Sequence, residues 1–242
     1  MEIQKNNEID WNQSDYYVIG VGESVTPVLA CMEKKNYESC QILWLDNLKE
    51  IKIPSFKFII FILDSVDALI IDRLEEFYDA GNIIVICHLN NDENNIIKYD
   101  CKLMISADSK PYFYEIEAFL DVLFKPFYMG IGYIDFLHFF TNAKKLKIEK
   151  YVIPDREEKS FVGFNNFITG LFYEIPEEEY KILITSINSK KPINSNCILN
   201  KKYNQYESWL WINKKMDTLR LYRTDSAIDE EKIEIVFLFI GK

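Results

Sequence analysis

The feature that most constrains the fold is the segment 15–32, which reads Asp-Tyr-Tyr-Val-Ile-Gly-Val-Gly-Glu-Ser-Val-Thr-Pro-Val-Leu-Ala-Cys-Met. It predicts a buried strand, a turn that carries Gly20 and Gly22, and a helix, which is how nucleotide-binding α/β domains begin. A phosphate cradle also needs small residues whose backbone N–H groups close on the anion at the helix N-terminus. Because this turn continues with Glu-Ser-Val-Thr-Pro, it resembles a nucleotide site from which parts are missing.

Strand-like apolar runs alternate with helical patterns through the first half of the chain. The predicted strands are Tyr17–Val21, Gln41–Leu45, Phe56–Leu63, Ile83–His88 and Lys102–Ile105. From Asp64 to Ala80 apolar residues recur at helical spacing, and Gly81 stands where a helix C-cap glycine belongs. This rhythm predicts an α/β fold in which helices cover a parallel sheet.

The second half of the chain has a different pattern, which predicts an α+β region. A helical pattern begins near Tyr112 and is interrupted at Pro126 and by Gly130 and Gly132. The predicted elements beyond that joint are helices at Asp135–Leu146, Glu158–Phe172 and Asn204–Lys215, and strands at Tyr180–Ile187, Thr218–Arg223 and Lys232–Ile240. We expect the last two strands to form a hairpin around the loop 224–231.

The length of the chain limits how it is divided. A chain of 242 residues, of which 48% are hydrophobic, can bury one large core or two small ones. We predict a degenerate Rossmann-like domain over 1–111, a central connecting helix and loop over 112–134, and an α+β domain over 135–242.

The charge and the cysteine content limit which classes of partner the protein can bind and in which cellular compartment we expect it. A formal net charge of −10 repels phosphate backbones, so we expect no nucleic-acid partner. The five cysteines are odd in number and widely spaced, which is typical of buried thiols in a reducing compartment rather than of disulfides or a metal site. The sequence contains no signal-peptide core and no apolar run of membrane-spanning length, so we expect a cytoplasmic protein.

Common catalytic motifs are absent from the sequence. It contains no GxSxG elbow, no Walker-type GxxxxGK[ST] and no HExxH, and its two histidines are His88 and His138. Cys87 adjoins His88 in a predicted strand, but neighbours in a strand point to opposite faces and do not readily form a catalytic dyad. The sequence therefore offers little support for an enzyme.

Six segments, taken in chain order, resemble elements of the FtsZ/tubulin family along nearly the whole length of the chain. They are Tyr17–Gly22 (first strand and turn), Ile42–Leu48 (second strand and loop), Phe58–Leu63 (the strand before the glycine-rich signature), Leu74–Ile86 (the helix and strand after it), Tyr133–Phe139 (the loop after the central helix) and Glu230–Gly241 (the last strand). The resemblance rests on their common order. It implies an N-terminal Rossmann-like sheet, a central helix and an α+β C-terminal domain.

The departures from the family concern its nucleotide site. The family's GGGTGTG loop, which binds the phosphates, should follow Leu63, but the chain continues Asp-Ser-Val-Asp-Ala-Leu, with two carboxylates and no glycine. The family also has a helix, a strand and a second phosphate loop where this chain has the short segment 48–55. The resemblance therefore implies that nucleotide binding is lost. The positions that match the family's nucleotide site are Gly20, Gly22, Asp46 and Asp64.

A second departure lies in the loop that, in the family's polymers, reaches the neighbouring subunit's nucleotide. The matching positions here hold Tyr133, Asp135 and His138. Asp135 either polarises a water molecule as a catalytic residue or caps the helix that follows it. His138 stands among aromatic residues, which favours a partly buried histidine over a catalytic acid.

The predicted helix at Asn204–Lys215 offers a surface signal, because Trp209 and Trp211 lie on it with too many apolar neighbours for one core stripe. The pattern favours an interpretation in which both tryptophans cover the C-terminal sheet, while the alternative is that some of these residues face a partner.

Three functions stay open on the sequence. The favoured one is a noncatalytic FtsZ/tubulin-like protein without a cofactor, which works through contact with itself or with another protein. The second is a divergent GTPase of cell division or the cytoskeleton that binds GTP or GDP through Gly20, Gly22, Asp46 and Asp64, with Asp135 from a neighbouring subunit. The third is a Rossmann-like small-molecule binder. Because the segment 48–55 is short, we also expect no protofilaments from this protein alone.

Overall fold

The computed structural model describes residues 9–35, 37, 40–49, 51–89, 101–104, 111–125, 138–176, 179–193 and 198–241. In chain order the described elements are β1 (Tyr16–Val21), α1 (Thr26–Lys35), β2 (Cys40–Leu45), β3 (Phe58–Leu63), α2 (Ala68–Asp79), β4 (Ile83–His88), β5 (Cys101–Met104), α3 (Pro111–Phe124), β6 (Lys145–Ile153), α4 (Glu158–Glu174), β7 (Ile182–Ser189), α5 (Ile198–Lys214), β8 (Asp217–Thr224) and β9 (Ile233–Gly241).

The chain divides into two compact units. The first comprises Met1–Lys125 and Tyr133–Leu146, and the second comprises Pro126–Gly132 and Lys147–Lys242. The three-part division at 111 and 134 stays a prediction. None of the described helices is long and apolar enough to cross a membrane.

The sheet of the first unit is parallel throughout its described strands, in the order β2-β1-β3-β4-β5. Strand β3 lies at the centre, and all six of its residues are buried. Its sequence, Phe-Ile-Ile-Phe-Ile-Leu, has no polar alternation, as expected of a strand that helices cover on both faces. The alternating strands and helices predicted for this half are confirmed.

Helix α2 covers one face of this sheet. Leu74 and Phe77 are its buried residues, and the ring of Phe77 meets that of Phe61 edge-on at 5.3 Å between centroids. Full burial of such a side chain contributes about 1.5–3 kcal/mol. The helix ends at Asp79 with Ala80 as its C-cap residue, and Gly81 follows with a left-handed φ of +82°, so the glycine that was predicted to stop the helix lies one residue beyond the cap.

The second unit is built around a mixed sheet, whose described strands lie in the order β6-β9-β7-β8. Strand β7 is parallel to β8 and antiparallel to β9. Residues of α4 and α5, among them Phe164, Phe172 and Tyr203, form a core with alternate residues of the sheet such as Phe237 and Phe239. This arrangement confirms the predicted α+β character of the region.

The predicted hairpin of the last two strands is wrong. Strands β8 and β9 lie on opposite sides of β7 and do not pair with each other. All eight residues of β7 are buried, whereas β8 alternates between exposed, half-buried and buried positions. The more apolar strand therefore takes the inner position, and the more polar β8 becomes an edge.

The predicted helix at Asp135–Leu146 is wrong from Thr141 onwards. Residues 138–140 are helical, but Asn142 has a φ of +63° and β6 begins at Lys145. The sequence of β6 starts Lys-Leu-Lys-Ile-Glu, in which charged and apolar residues alternate with the period of a strand. Residues 135–137 lie outside the described part of the chain.

Candidate functional site

Three predicted site residues meet at one edge of the first sheet. Gly22, Asp46 and Asp64 each come directly after a strand, namely β1, β2 and β3. The strands are parallel and in register, with Val21 opposite both Leu45 and Leu63, so their carboxyl ends lie side by side. In open α/β sheets this edge is where ligands bind.

Gly22 sits where two neighbouring segments approach the turn closely. Its φ is +102°, and a Cβ built on it would lie 2.6 Å from Cβ of Asp64. Its N–H donates to the carbonyl of Leu45 at 3.4 Å, and its carbonyl accepts from the indole Nε1 of Trp44 at 3.0 Å. Only glycine fits this position without strain, whether or not a ligand is bound.

Gly20 lies within β1, on the face of the sheet that α1 covers. A Cβ on Gly20 would lie 2.6 Å from Cδ1 of Leu29 and 2.8 Å from Cγ2 of Val25. Helix α1 therefore packs directly on the backbone of β1. The geometry gives Gly20 a packing role, since a side chain there would collide with Leu29 and Val25.

Asp64 turns its carboxylate towards the start of α1. Its Oδ2 accepts from the backbone N–H of Ser24 at 3.4 Å, and its own N–H donates to the carbonyl of Val21 at 3.1 Å. Free N–H groups at this end of a helix attract anions. A carboxylate of the chain itself thus lies beside the α1 terminus.

A second carboxylate caps α2. Asp67 is the N-cap residue of that helix, and its Oδ1 accepts from the backbone N–H of Ile70 at 2.8 Å. At α2 the acidic acceptor therefore bonds an N–H of the helix itself, whereas at α1 it bonds the N–H of Ser24, two residues before the helix begins. Glu23 and Asp46 are exposed at the same edge, and Lys49, which is also exposed, follows Asp46 by three residues.

The remaining titratable candidates do not join this group. Asp135 lies outside the described residues, and His138 is exposed rather than partly buried, with its ring 6.3 Å from that of Phe139. His88 and Cys87 are buried at the end of β4, where burial raises the pKa of the Cys87 thiol. Within the described residues, no group of histidine, cysteine and acidic side chains could hold a metal ion.

The two tryptophans of α5 lie in different environments. Trp209 is half-buried, 5.5 Å from the ring of Tyr173, and the ammonium of Lys214 lies 5.8 Å from its ring. Trp211 is 63% exposed and its neighbour Ile212 is 70% exposed. The interpretation that both tryptophans cover the sheet is therefore wrong for Trp211.

Sequence reasoning missed two contributors to the turn. Trp44 fixes the carbonyl of Gly22, and Ser24 supplies the N–H that Asp64 accepts. The contact of Trp44 with Gly22 had one signal in the sequence, namely that Trp44 lies next to the end of a predicted strand. No local pattern indicated the second, because Ser24 and Asp64 are 40 residues apart in the chain.

No protein-family model matches the sequence, and no curated protein matches it significantly. Solved structures are similar in fold. An FtsZ dimer from M. jannaschii, described as empty, has 7% identity and a TM-score of 0.62, over 95% of this chain and 89% of that chain. TubZ from Bacillus thuringiensis serovar israelensis, in GDP-form protofilaments, has 11% identity and a TM-score of 0.56, over 95% and 85%.

CetZ from Methanosaeta thermophila strain DSM 6194 is also similar, with 9% identity and a TM-score of 0.50, over 94% of this chain and 87% of that chain. At such identities the similarity shows the fold alone. The predicted FtsZ/tubulin-like fold is thereby confirmed.

Proposed function

We propose that this chain, which has an FtsZ/tubulin-like fold, acts through protein–protein contact and no longer binds a guanine nucleotide. The observation that carries the proposal is the position of Asp64. Its carboxylate lies against Gly22 and accepts from the N–H of Ser24, beside the helix terminus where a nucleotide site needs free donors. The resemblance to the family places the phosphates after Leu63, which is where this carboxylate stands.

The electrostatics of the edge support the proposal. A phosphate oxygen about 4 Å from a carboxylate is repelled by about 1 kcal/mol in bulk water and by about 4 kcal/mol near a protein surface. Four acidic residues, Glu23, Asp46, Asp64 and Asp67, follow the strands β1 to β3, and the nearest basic residue along these segments is Lys49, three residues after Asp46. This excess of negative charge supports the proposal that the edge does not bind a triphosphate.

The short connection between β2 and β3 supports the same function. Leu48 and Ile51 are buried in the core of the first unit, and Nε of Arg73 donates to the carbonyl of Leu48 at 3.1 Å. The segment is a packed part of the fold, in the place where the family resemblance expects a helix, a strand and a phosphate loop. A chain that is well packed without a phosphate loop is suited to a role that needs no nucleotide.

The partner we propose is another protein, either a second copy of this chain or a polymer-forming protein of the same fold. The similar FtsZ structure is described as a dimer and the TubZ structure as protofilaments, so self-association occurs among proteins of this fold. In this proposal the protein acts in the cytoplasm and has a cytoskeletal or cell-division role.

Titration with GTP and GDP by calorimetry, with FtsZ as the positive control, tests the loss of nucleotide binding. We expect no binding heat from the native chain. Two matched variants, Asp64→Asn and Asp46→Asn, each remove one negative charge at the same edge. If the Asp64 carboxylate is the obstacle, weak binding should return in Asp64→Asn but not in Asp46→Asn. A clear response of the native chain at millimolar nucleotide would refute the proposal and support the divergent GTPase.

Assembly is tested separately. Pelleting and electron microscopy, with and without GTP, should show no filaments of the isolated protein. Filaments that depend on GTP would contradict the proposed loss of the nucleotide site.

A further inference from the structure

Strand β2 is an edge strand without the usual protection. Its six residues read Cys-Gln-Ile-Leu-Trp-Leu, with no charge and no proline. The other edge strands of the two described sheets each carry charge, for example Lys102 in β5, Lys147 in β6 and Arg220 in β8. Native proteins usually protect exposed edges with charged side chains or proline, so an uncharged edge is typical of a strand that has a partner.

The backbone of β2 has hydrogen-bonding groups on its outer side. The carbonyl of Leu45 accepts from Gly22 and so points towards β1. Because successive residues of a strand point their backbone groups to opposite sides, the N–H and C=O groups of Ile42 and Trp44 point away from the sheet. No described strand pairs with that side, and the four middle residues of β2 are half-buried.

The connection that follows β2 does not protect this edge. Leu48 and Ile51 lie in the core with Leu74 and Phe77 of α2, so the connection passes over one face of the sheet. On the other face, Val28, Leu29 and Met32 are the buried residues of α1. Both faces of the sheet are covered near β2, while its outer backbone edge stays open among the described residues.

We propose that β2 pairs with β2 of a second copy of this chain, antiparallel and about a two-fold axis, so that the two sheets become continuous. With the axis beside Leu43, Ile42 of each copy lies opposite Trp44 of the other, and their outward N–H and C=O groups bond reciprocally. This dimer rests on the proposed function in one respect, since it names the contact through which a nucleotide-free protein would associate.

Charge and length favour a second copy as the occupant. The protein carries a net charge of −10, which opposes self-association in general. The chain segments that flank β2 are less acidic than the chain as a whole, although Asp46 belongs to the acidic edge described above. Residues 33–39 contain two lysines and two glutamates, and residues 46–50 contain one lysine and two acidic residues, so both flanks are close to neutral. A second β2 also supplies an uncharged strand of equal length with the same spacing of outward groups.

Two measurements test the dimer. Sedimentation or light scattering over about 1–200 µM protein should show a monomer–dimer equilibrium. Amide hydrogen exchange by NMR should show that the N–H groups of Ile42 and Trp44 become protected as concentration rises, while those of β8, the edge of the other sheet, do not change. A monomer throughout this range overturns the proposal, and so does a dimer in which both amides exchange as fast as in the monomer.

Variants of β2 complete the test. Ile42→Pro removes an outward N–H and leaves the bonds to β1 intact, and it should raise the dimer dissociation constant at least about tenfold. Thr224→Pro is the matched control, since the N–H of Asp225 bonds inward to Ser189 and Thr224 therefore points outward from β8. Its dissociation constant should equal that of the native chain.

If Ile42→Pro fails to fold, Gln41→Lys decides the matter, because it adds the charge that other edges carry and keeps the backbone unchanged. An unchanged dimer in Gln41→Lys and Ile42→Pro would contradict the proposal. The result is independent of the nucleotide titration: a protein that binds no nucleotide yet stays monomeric refutes the dimer alone, and one that dimerises yet binds GTP refutes the proposed function.

Discussion

Replacement of Gly22 by alanine is the sharpest test of the turn between β1 and α1. The residue has a φ of +102°, and the new Cβ would lie 2.6 Å from Cβ of Asp64. That atom is attached to the backbone that follows β3, so it cannot rotate away as the end of a flexible side chain could. One of the two segments has to move.

The magnitude has two parts. Left-handed backbone in alanine costs about 1–2 kcal/mol. The displacement that relieves the contact with Asp64 costs a further amount of about 1–3 kcal/mol, as overpacking generally does. We therefore expect Gly22→Ala to lower the free energy of unfolding by about 2–5 kcal/mol, a large part of the 5–15 kcal/mol typical of a folded protein.

Urea unfolding followed by tryptophan fluorescence is a suitable assay, because the indole of Trp44 donates to the carbonyl of Gly22 and reports on this turn. A loss of about 3 kcal/mol lowers the midpoint by about 1 M when the denaturant slope is about 3 kcal/mol per molar. Gly170→Ala is the control, since a Cβ there meets no atom within 4 Å, and it should stabilise helix α4 by about 0.5–1 kcal/mol.

A double-mutant cycle separates the two parts. In an Asp64→Gly background the close contact is gone, so Gly22→Ala should cost only the backbone part of about 1–2 kcal/mol. A cost below about 1 kcal/mol in the native background would show that the turn is not held as described. An equal cost with and without Asp64 would show that the side-chain contact is not the source of the strain.

The other predictions concern single residues. Asn82→Ala should destabilise the protein by about 2–4 kcal/mol in urea unfolding, because the buried amide bonds to three backbone groups, and a loss below about 1 kcal/mol would contradict this. Asp67→Ala should cost about 1 kcal/mol through loss of the cap, which Asp67→Ser should largely retain. At pH 8 a thiol reagent should label exposed Cys31 but neither Cys40, whose pKa burial raises to about 12, nor Cys87, until urea unfolds the chain.

Much of the first unit was predictable because its signals are local. The run Phe58–Leu63 is long and uniformly apolar, and the helical spacing before Gly81 identifies α2 within a few residues. The sequence also shows directly that two carboxylates, Asp64 and Asp67, stand after Leu63 and that no glycine does. What those residues do was not predictable, because the contact between Asp64 and Ser24 joins two loops that are distant in the chain.

The second unit was less predictable, because the order of its strands depends on their relative burial. Strands β8 and β9 are neighbours in sequence, and this proximity predicted a hairpin. Strand β7 lies between them instead, and all its residues are buried. Strand β6 was missed: the predicted helix ran on to Leu146, and residues 147–153 were assigned to no element, although the alternation of charged and apolar residues begins at Lys145.

The sequence by itself determined that a glycine turn leads from a buried strand into a helix and that the next loop is acidic and lacks glycine. Both follow from residue type, because only glycine takes such a backbone and carboxylates carry charge in any loop. The tertiary structure alone decided that Asp64 lies against Gly22, that Gly20 is covered by α1, and that β2 is an edge strand among the described strands. Those facts depend on which segments meet in space, and local sequence patterns do not encode such contacts.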